Sequence, residues 1–211
     1  MKMKNIILIL ALLPMVSMAQ ITDKLFAEVS FGLVEDIEHT DKDINLFSPD
    51  MSSSHSSDAE LENGFDISIG YQYSEKIAVG FSYLDAEISG SNDVEYFQGE
   101  FTDMSAFIQY DLYQVKNIMF FADASLGQVE YEASRFLVSD DSELPINSPD
   151  GTANKMALGL GAKMAIKDNM TIVVKYTLNE LDDDGFDGWD YGSDTDRYAF
   201  MSVGLRMKLS K

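Results

Sequence analysis

The sequence predicts an all-β protein, an eight-stranded antiparallel up-and-down barrel that crosses a membrane with its apolar face toward lipid. Three observations carry this. From Gly64 to Tyr73, large apolar residues (Phe65, Ile67, Ile69, Tyr71, Tyr73) alternate with small or polar ones (Asp66, Ser68, Gly70, Gln72), the two-residue period of a strand with one apolar face. The other face of the recurring pattern is mostly Gly, Ser and Ala with single charges near mid-strand. That is too small-sided for the coat of a soluble barrel and suits a crowded lumen. Finally, the connections alternate between short and long.

Eight runs carry the pattern: Lys24–Val34, Gly64–Tyr73, Lys76–Ala86, Phe101–Leu112, Ile118–Tyr131, Lys155–Ile166, Met170–Asn179 and Tyr198–Leu209. Most reach the roughly 9–11 residues that a tilted transmembrane strand needs. Apolar positions at i, i+2 and i+4, with Gly throughout, exclude helices. Tyr73 to Lys76, Leu112 to Ile118 and Ile166 to Met170 are tight turns. Val34 to Gly64, Ala86 to Phe101, Tyr131 to Lys155 and Asn179 to Tyr198 are long polar loops. Short periplasmic turns and long extracellular loops are how an outer-membrane barrel is strung, which puts both chain ends on the periplasmic side.

The N-terminus fits that address. Lys2 and Lys4, an apolar run from Ile6 to Met15, and Ser17-Met18-Ala19 form an export signal with a small-x-small cleavage site. Residues 1–19 are therefore read as a signal peptide and 20–211 as the barrel domain. The apolar run is too short to span a bilayer as a helix. The formal net charge of −21 argues against a nucleic-acid partner. With no Cys, neither disulfides nor thiolate chemistry contribute, and stability rests on the hydrogen-bonded wall.

With strand direction fixed, Tyr71, Tyr73, Tyr110 and Phe120 fall near the turn rim on the lipid-facing parity, and Phe31, Phe65, Tyr83 and Tyr176 near the loop rim. These are the two interfacial aromatic belts of a membrane barrel. On the inward parity lie Glu28, Asp66, Asp103 and Asp123 with Lys163, Lys175 and Arg206. Isolated charges in a narrow lumen are costly, so opposite signs should pair. The expected pairs are Glu28 with Arg206, on the strands that close the barrel, and Asp123 with Lys163, on neighbouring strands. Phe107, Phe121 and Phe200 help fill an interior that eight strands leave just wide enough for side chains.

The loops hold most of the acid. Residues 182–190 read Asp-Asp-Asp-Gly-Phe-Asp-Gly-Trp-Asp, but the alternating Asp spacing of a calcium loop breaks at Phe186 and Ser193 stands where the closing Glu is required. No metal or cofactor site is assigned, and weak retention of divalent ions is the expectation there. His39 and His55 are the only histidines. His55, Ser57 and Asp58 lie adjacent in a Ser-rich loop, a poor frame for catalytic geometry. No catalytic residue is assigned. Phe186, Trp189 and Tyr191, with Tyr96, Phe97 and Phe136, are candidate loop contacts for an extracellular ligand.

The last strand, Ser202-Val203-Gly204-Leu205-Arg206-Met207-Lys208-Leu209, resembles the C-terminal insertion signal of bacterial outer-membrane barrels through Ser202, Gly204, Met207 and Leu209. In that family the barrel assembly machinery reads the signal. Here Leu209 replaces the usual terminal aromatic, and Ser210 and Lys211 follow. Over nearly its whole length the chain is similar to small OmpA/OmpX-type barrels. The resemblance implies a monomer in the outer membrane of a Gram-negative bacterium, among outer-membrane lipids and lipopolysaccharide. The cell-wall-binding domain of some relatives is not expected. The expected role is non-enzymatic: structural, or surface binding and adhesion through the acidic loops. The alternatives are a narrow channel for small solutes or ions, a lipid-modifying enzyme, and a soluble exported barrel.

Overall fold

A computed structural model describes residues 24–37, 58–91, 95–137, 145, 148, 150–183, 185–186 and 195–209. Its strands are β1 (Leu25–Asp36), β2 (Asp58–Ala59), β3 (Glu62–Gln72), β4 (Ile77–Ser91), β5 (Glu95–Val115), β6 (Ile118–Leu137), β7 (Asp150–Lys167), β8 (Met170–Leu181) and β9 (Arg197–Lys208). β2 is a two-residue strand paired to the outer end of β4, Asp58 opposite Ser91. The other eight form the wall. Each pairs antiparallel with its sequence neighbour, and β1 pairs with β9. Closure leaves the membrane-spanning backbone with no free edge, as a hydrocarbon solvent requires. The first and last wall strands meet on the turn side, where Leu209 N–H donates to Leu25 O at 2.8 Å.

Side-chain direction follows the alternation. Phe31, Phe81, Met104, Leu126, Leu160 and Val203 are large, apolar and exposed on the outer surface. Tyr73, Tyr110 and Tyr176 lie on the same surface, as do the other belt aromatics. Inward positions pair small with large. Phe26 faces Gly70 across the β1–β3 ladder, and a Cβ on residue 70 would overlap its ring. The tight turn between β5 and β6 places Lys116 in the left-handed region (φ 55°), as two-residue hairpin turns demand.

The strands differ in height. β1, β3, β8 and β9 have 11 or 12 residues, but β4, β5, β6 and β7 have 15, 21, 20 and 18. Most of the extra length is at the loop end, where β5 and β6 stay paired from Phe101 opposite Tyr131 out to Glu95 opposite Leu137, while β5 also runs on to Val115 at the turn end. Parts of the segments expected to be loops, residues 86–91, 95–101, 131–137 and 150–155, are therefore sheet. On β5 this section, residues 95–101, is seven residues long, roughly 23 Å of strand.

Polarity inverts in this raised wall without a change of parity. Outward positions on β4 read Val79, Phe81, Tyr83, then Asp85, Glu87, Ser89; on β5, from the turn end, Tyr110, Ile108, Met104, then Thr102, Glu100, Gln98. Inward positions on β4 read Ala78, Gly80, Ser82, then Leu84, Ala86, Ile88. Below the crossover the wall is built for lipid outside and charges inside; above it, for water outside and an apolar core. The crossover lies at paired residues, Tyr83 opposite Met104 and Asp85 opposite Thr102, so it marks one level around this side of the barrel.

Candidate functional site: the filled lumen and the raised wall

The lumen is a layered charge network. Arg206 and Glu28 face each other in register on the closing strands. Arg206 Nε donates to Glu28 Oε2 at 2.7 Å and a terminal guanidinium nitrogen donates to Gln109 Oε1 at 2.8 Å. The guanidinium also lies 4.1 Å over the Phe26 ring, which desolvates one of its faces. Lys155 pairs with Asp103, and the Tyr198 hydroxyl donates to the same Asp103 Oδ2 at 2.8 Å. Lys163 pairs with Asp111 at 2.7 Å.

The expected Asp123–Lys163 pair does not form. Asp123 is opposite Gly159 and Lys163 opposite Met119, so the two are four residues apart along the wall, about 13 Å. Lys163 reaches across to β5 instead. Asp123 lies against Gly159, where a Cβ would overlap its Oδ1. Asp66, Asp123 and Lys175 line one interior cavity of about 40 Å³ together with Glu28, Asp103 and Arg206. Phe107, Phe121 and Phe200 line it too. Lys155, Asp111 and Gln109 belong to the network although they are absent from the sequence-based set. The signal is there, since Lys155 shares the inward parity of Lys163, and Asp111 that of Asp103.

Above the charges sits an apolar plug. Phe186, from the connection between β8 and β9, is fully buried with its ring centroid 5.0 Å from Phe101, 5.7 Å from Tyr131 and 5.6 Å from Tyr198. Its backbone N–H donates to Asp196 Oδ2 at 2.8 Å. Phe186 is thus core and not an exposed ligand contact, because the inner face of the raised wall needs an apolar cover. Phe97 is buried in the same cluster, whereas Tyr96 and Phe136 stack at 4.8 Å on the outer side. Trp189, Tyr191, His39 and His55 lie outside the described residues. In β9, Ser202 is buried on the lumen side and Gly204 faces Ser30, while Met207 and, just past the strand, Leu209 are exposed.

The outer face of the raised wall is the other feature of note. Its outward positions carry Asp85, Glu87, Glu100, Glu130, Glu132 and Asp150, all exposed, and no Lys or Arg among the described residues of β4 to β7. A groove of about 640 Å³ on this side is lined by Glu60, Glu62, Glu87, Tyr96, Glu100 and Glu132, among others. At the edge of the wall, Asp182 takes over where β8 ends. Its Oδ1 accepts from the Asn154 backbone N–H and its Oδ2 from the Asn154 side chain, both at 2.6 Å. Those donors hold the exposed Asp182 carboxyl below the usual carboxylate range.

A closed antiparallel sheet with an oily, aromatic-rimmed exterior and a charged interior is a transmembrane β-barrel. Residues 8–208 match the model of the outer membrane protein beta-barrel domain family, and the chain belongs to that family. The family implies a place in the outer membrane of a Gram-negative bacterium. No curated protein sequence matches. Among solved structures, Neisserial surface protein A is similar at 13% identity and a TM-score of 0.56, over 87% of this chain and 96% of that one. A major outer membrane protein from Thermus thermophilus matches at 8% identity and 0.49, over 87% and 98%. Ail, the attachment invasion locus protein of Yersinia pestis, matches at 13% and 0.48, over 87% and 99%. At such identities the first likeness shows the fold alone.

Proposed function

We propose that this protein is a non-enzymatic, non-conducting barrel, acting as a monomer, whose work is done by the raised wall as a rigid acidic surface for a cationic partner. The observation that carries this reading is the polarity inversion. It lifts a folded, water-facing sheet beyond the lipid band, residues 95–102 on β5, with six outward carboxylates and no described base at an outward position. Opposite charge steers such a partner and sets its specificity. The lumen supports the negative half of the proposal, because three ion pairs and an aromatic plug occupy the path that a solute would take. Met207 and Leu209 on the final strand suit recognition by the assembly machinery, and the apolar band suits outer-membrane lipids and lipopolysaccharide.

The test uses the full chain displayed on cells and beads coated with polylysine. Four charges at roughly 0.3 kcal/mol each come to ~1.2 kcal/mol. The variant E87Q/E100Q/E130Q/E132Q should therefore hold beads about tenfold more weakly at low salt. Purified wild type should be silent in planar bilayers. Equal bead retention by variant and wild type would refute the binding surface, and steady unitary currents would refute the filled lumen.

A further inference from the structure

We propose that the lumen cavity lined by Asp66 and Asp123 binds one small monovalent cation, of the sodium class. The charges of the lumen sort into three complete pairs, Glu28 with Arg206, Asp103 with Lys155 and Asp111 with Lys163. Asp66, Asp123 and Lys175 are left around the cavity, two carboxylates against one ammonium. Lys175 lines the same cavity as Asp66 and Asp123. It makes no described ion pair within 4.0 Å to either.

The second observation is independent of that count. Asp66 Oδ1 and Asp123 Oδ1 are both buried and accept no hydrogen bond among the described residues, and Asp66 is only 3% exposed. Buried carboxylate oxygens are rarely left without a partner. The cavity they share, about 40 Å³, exceeds the ~10–15 Å³ that one water occupies on this measure. It has room for an ion and a few waters. The rest of its lining includes oxygen donors suited to a hard cation, from Ser82, Ser125, Thr177 and Asn179.

Charge selects the valence. One monovalent ion brings the unpaired group to neutrality. A divalent ion would leave an excess positive charge and prefers a richer set of carboxylates. Gly159 leaves room for the Asp123 carboxylate, since a Cβ there would overlap its Oδ1.

The experiment uses detergent-extracted full chain. Unfolding midpoints are compared in sodium chloride and tetramethylammonium chloride at equal ionic strength, for wild type and for the isosteric D66N. The expected result is a midpoint about 3 °C higher in sodium for wild type, and no difference between salts for D66N. D123N serves the same purpose where D66N fails to fold. Crystals soaked in a thallous salt should show an anomalous peak in the cavity that the two aspartates line. Equal wild-type midpoints, a sodium effect that persists in D66N, or no peak at that position would overturn the proposal. So would a protonated-carboxyl infrared band in wild type that D66N removes, because a proton would then supply the missing charge.

Discussion

Replacing Arg206 with Met tests whether opposite charges, rather than bulk, hold the seam of the barrel. Arg206 is the hub that joins β1, β5 and β9 through Glu28 Oε2 at 2.7 Å and Gln109 Oε1 at 2.8 Å. Removing one partner of a buried pair leaves an uncompensated charge and costs about 3–5 kcal/mol. Glu28, 2% exposed, is such a charge. The loss of a donor to Gln109 adds ~1 kcal/mol, so R206M should lose about 4–6 kcal/mol. At a urea slope of roughly 2 kcal/mol/M, that moves the unfolding midpoint down by about 2–3 M. The assay is boiled-versus-unboiled gel migration after equilibration of vesicle-inserted protein across urea. The double variant E28Q/R206M removes both charges and should recover all but ~1–2 kcal/mol, since neutral replacements of a buried pair are well tolerated. A single variant that loses under about 1 kcal/mol would refute the reasoning. A double variant no more stable than R206M would also refute it, because Arg206 would then matter only as filling.

Two further predictions concern the loop rim. Phe186→Ala deletes a fully buried ring whose loss would cost about 3–5 kcal/mol in a fixed core. The ring belongs to a connection and not to the wall, so the expected outcome is cleavage next to residue 186 at least about tenfold faster by added protease while the heat-modifiable gel shift persists; an unchanged cleavage rate would contradict the plug. The Asp182 carboxyl is held below the ordinary carboxylate range by its two bonds from Asn154, so this clasp is fully present above the ordinary value and is lost as pH falls through the lowered one. Cleavage of wild-type cells next to residue 182 should rise as pH falls below about 4, whereas D182N should be flat over that range. Parallel profiles would rule the clasp out.

The wall is legible in the sequence because the membrane imposes one rule on all eight strands. A large apolar side chain at every second position is enough to find them, and the direction of the chain then places the belts. Glu28 and Arg206 can be matched because each lies about three residues from the turn end of adjacent strands. The same reasoning misplaces Lys163, since strand neighbours in a sheared barrel are not level, and the offset from Asp123 is set by a register that only the turn geometry determines. The raised wall escapes for a different reason. A search for apolar-out alternation stops where Asp85 and Glu87 appear, although Leu84, Ala86 and Ile88 continue the period with reversed polarity. That reversal is present in the residues; what hides it is the assumption that one solvent faces each strand along its whole length. Phe186 misleads because an aromatic within an acidic stretch looks exposed until the apolar face that buries it is known.

The raised wall and the closed lumen are one physical feature. Above the lipid level the outer face of β4 to β7 meets water, so the inner face has to be apolar, and it carries Leu84, Ile88, Phe97, Phe101, Val129 and Tyr131. The four opposite strands stop at Asp36, Glu62, Leu181 and Arg197, too short to cover that face by themselves. Val34, Leu181 and Tyr198 at their upper ends supply part of the cover, and Phe186 closes the gap. A taller wall therefore needs a larger plug, and the plug stands across the outer mouth of the lumen. A barrel of this width that displays a half-wall of sheet to the medium narrows the outer mouth of its lumen to do so. This links the two halves of the proposed function, because a change that opened the pore by removing the plug would also expose the inner face and loosen the surface offered to a partner.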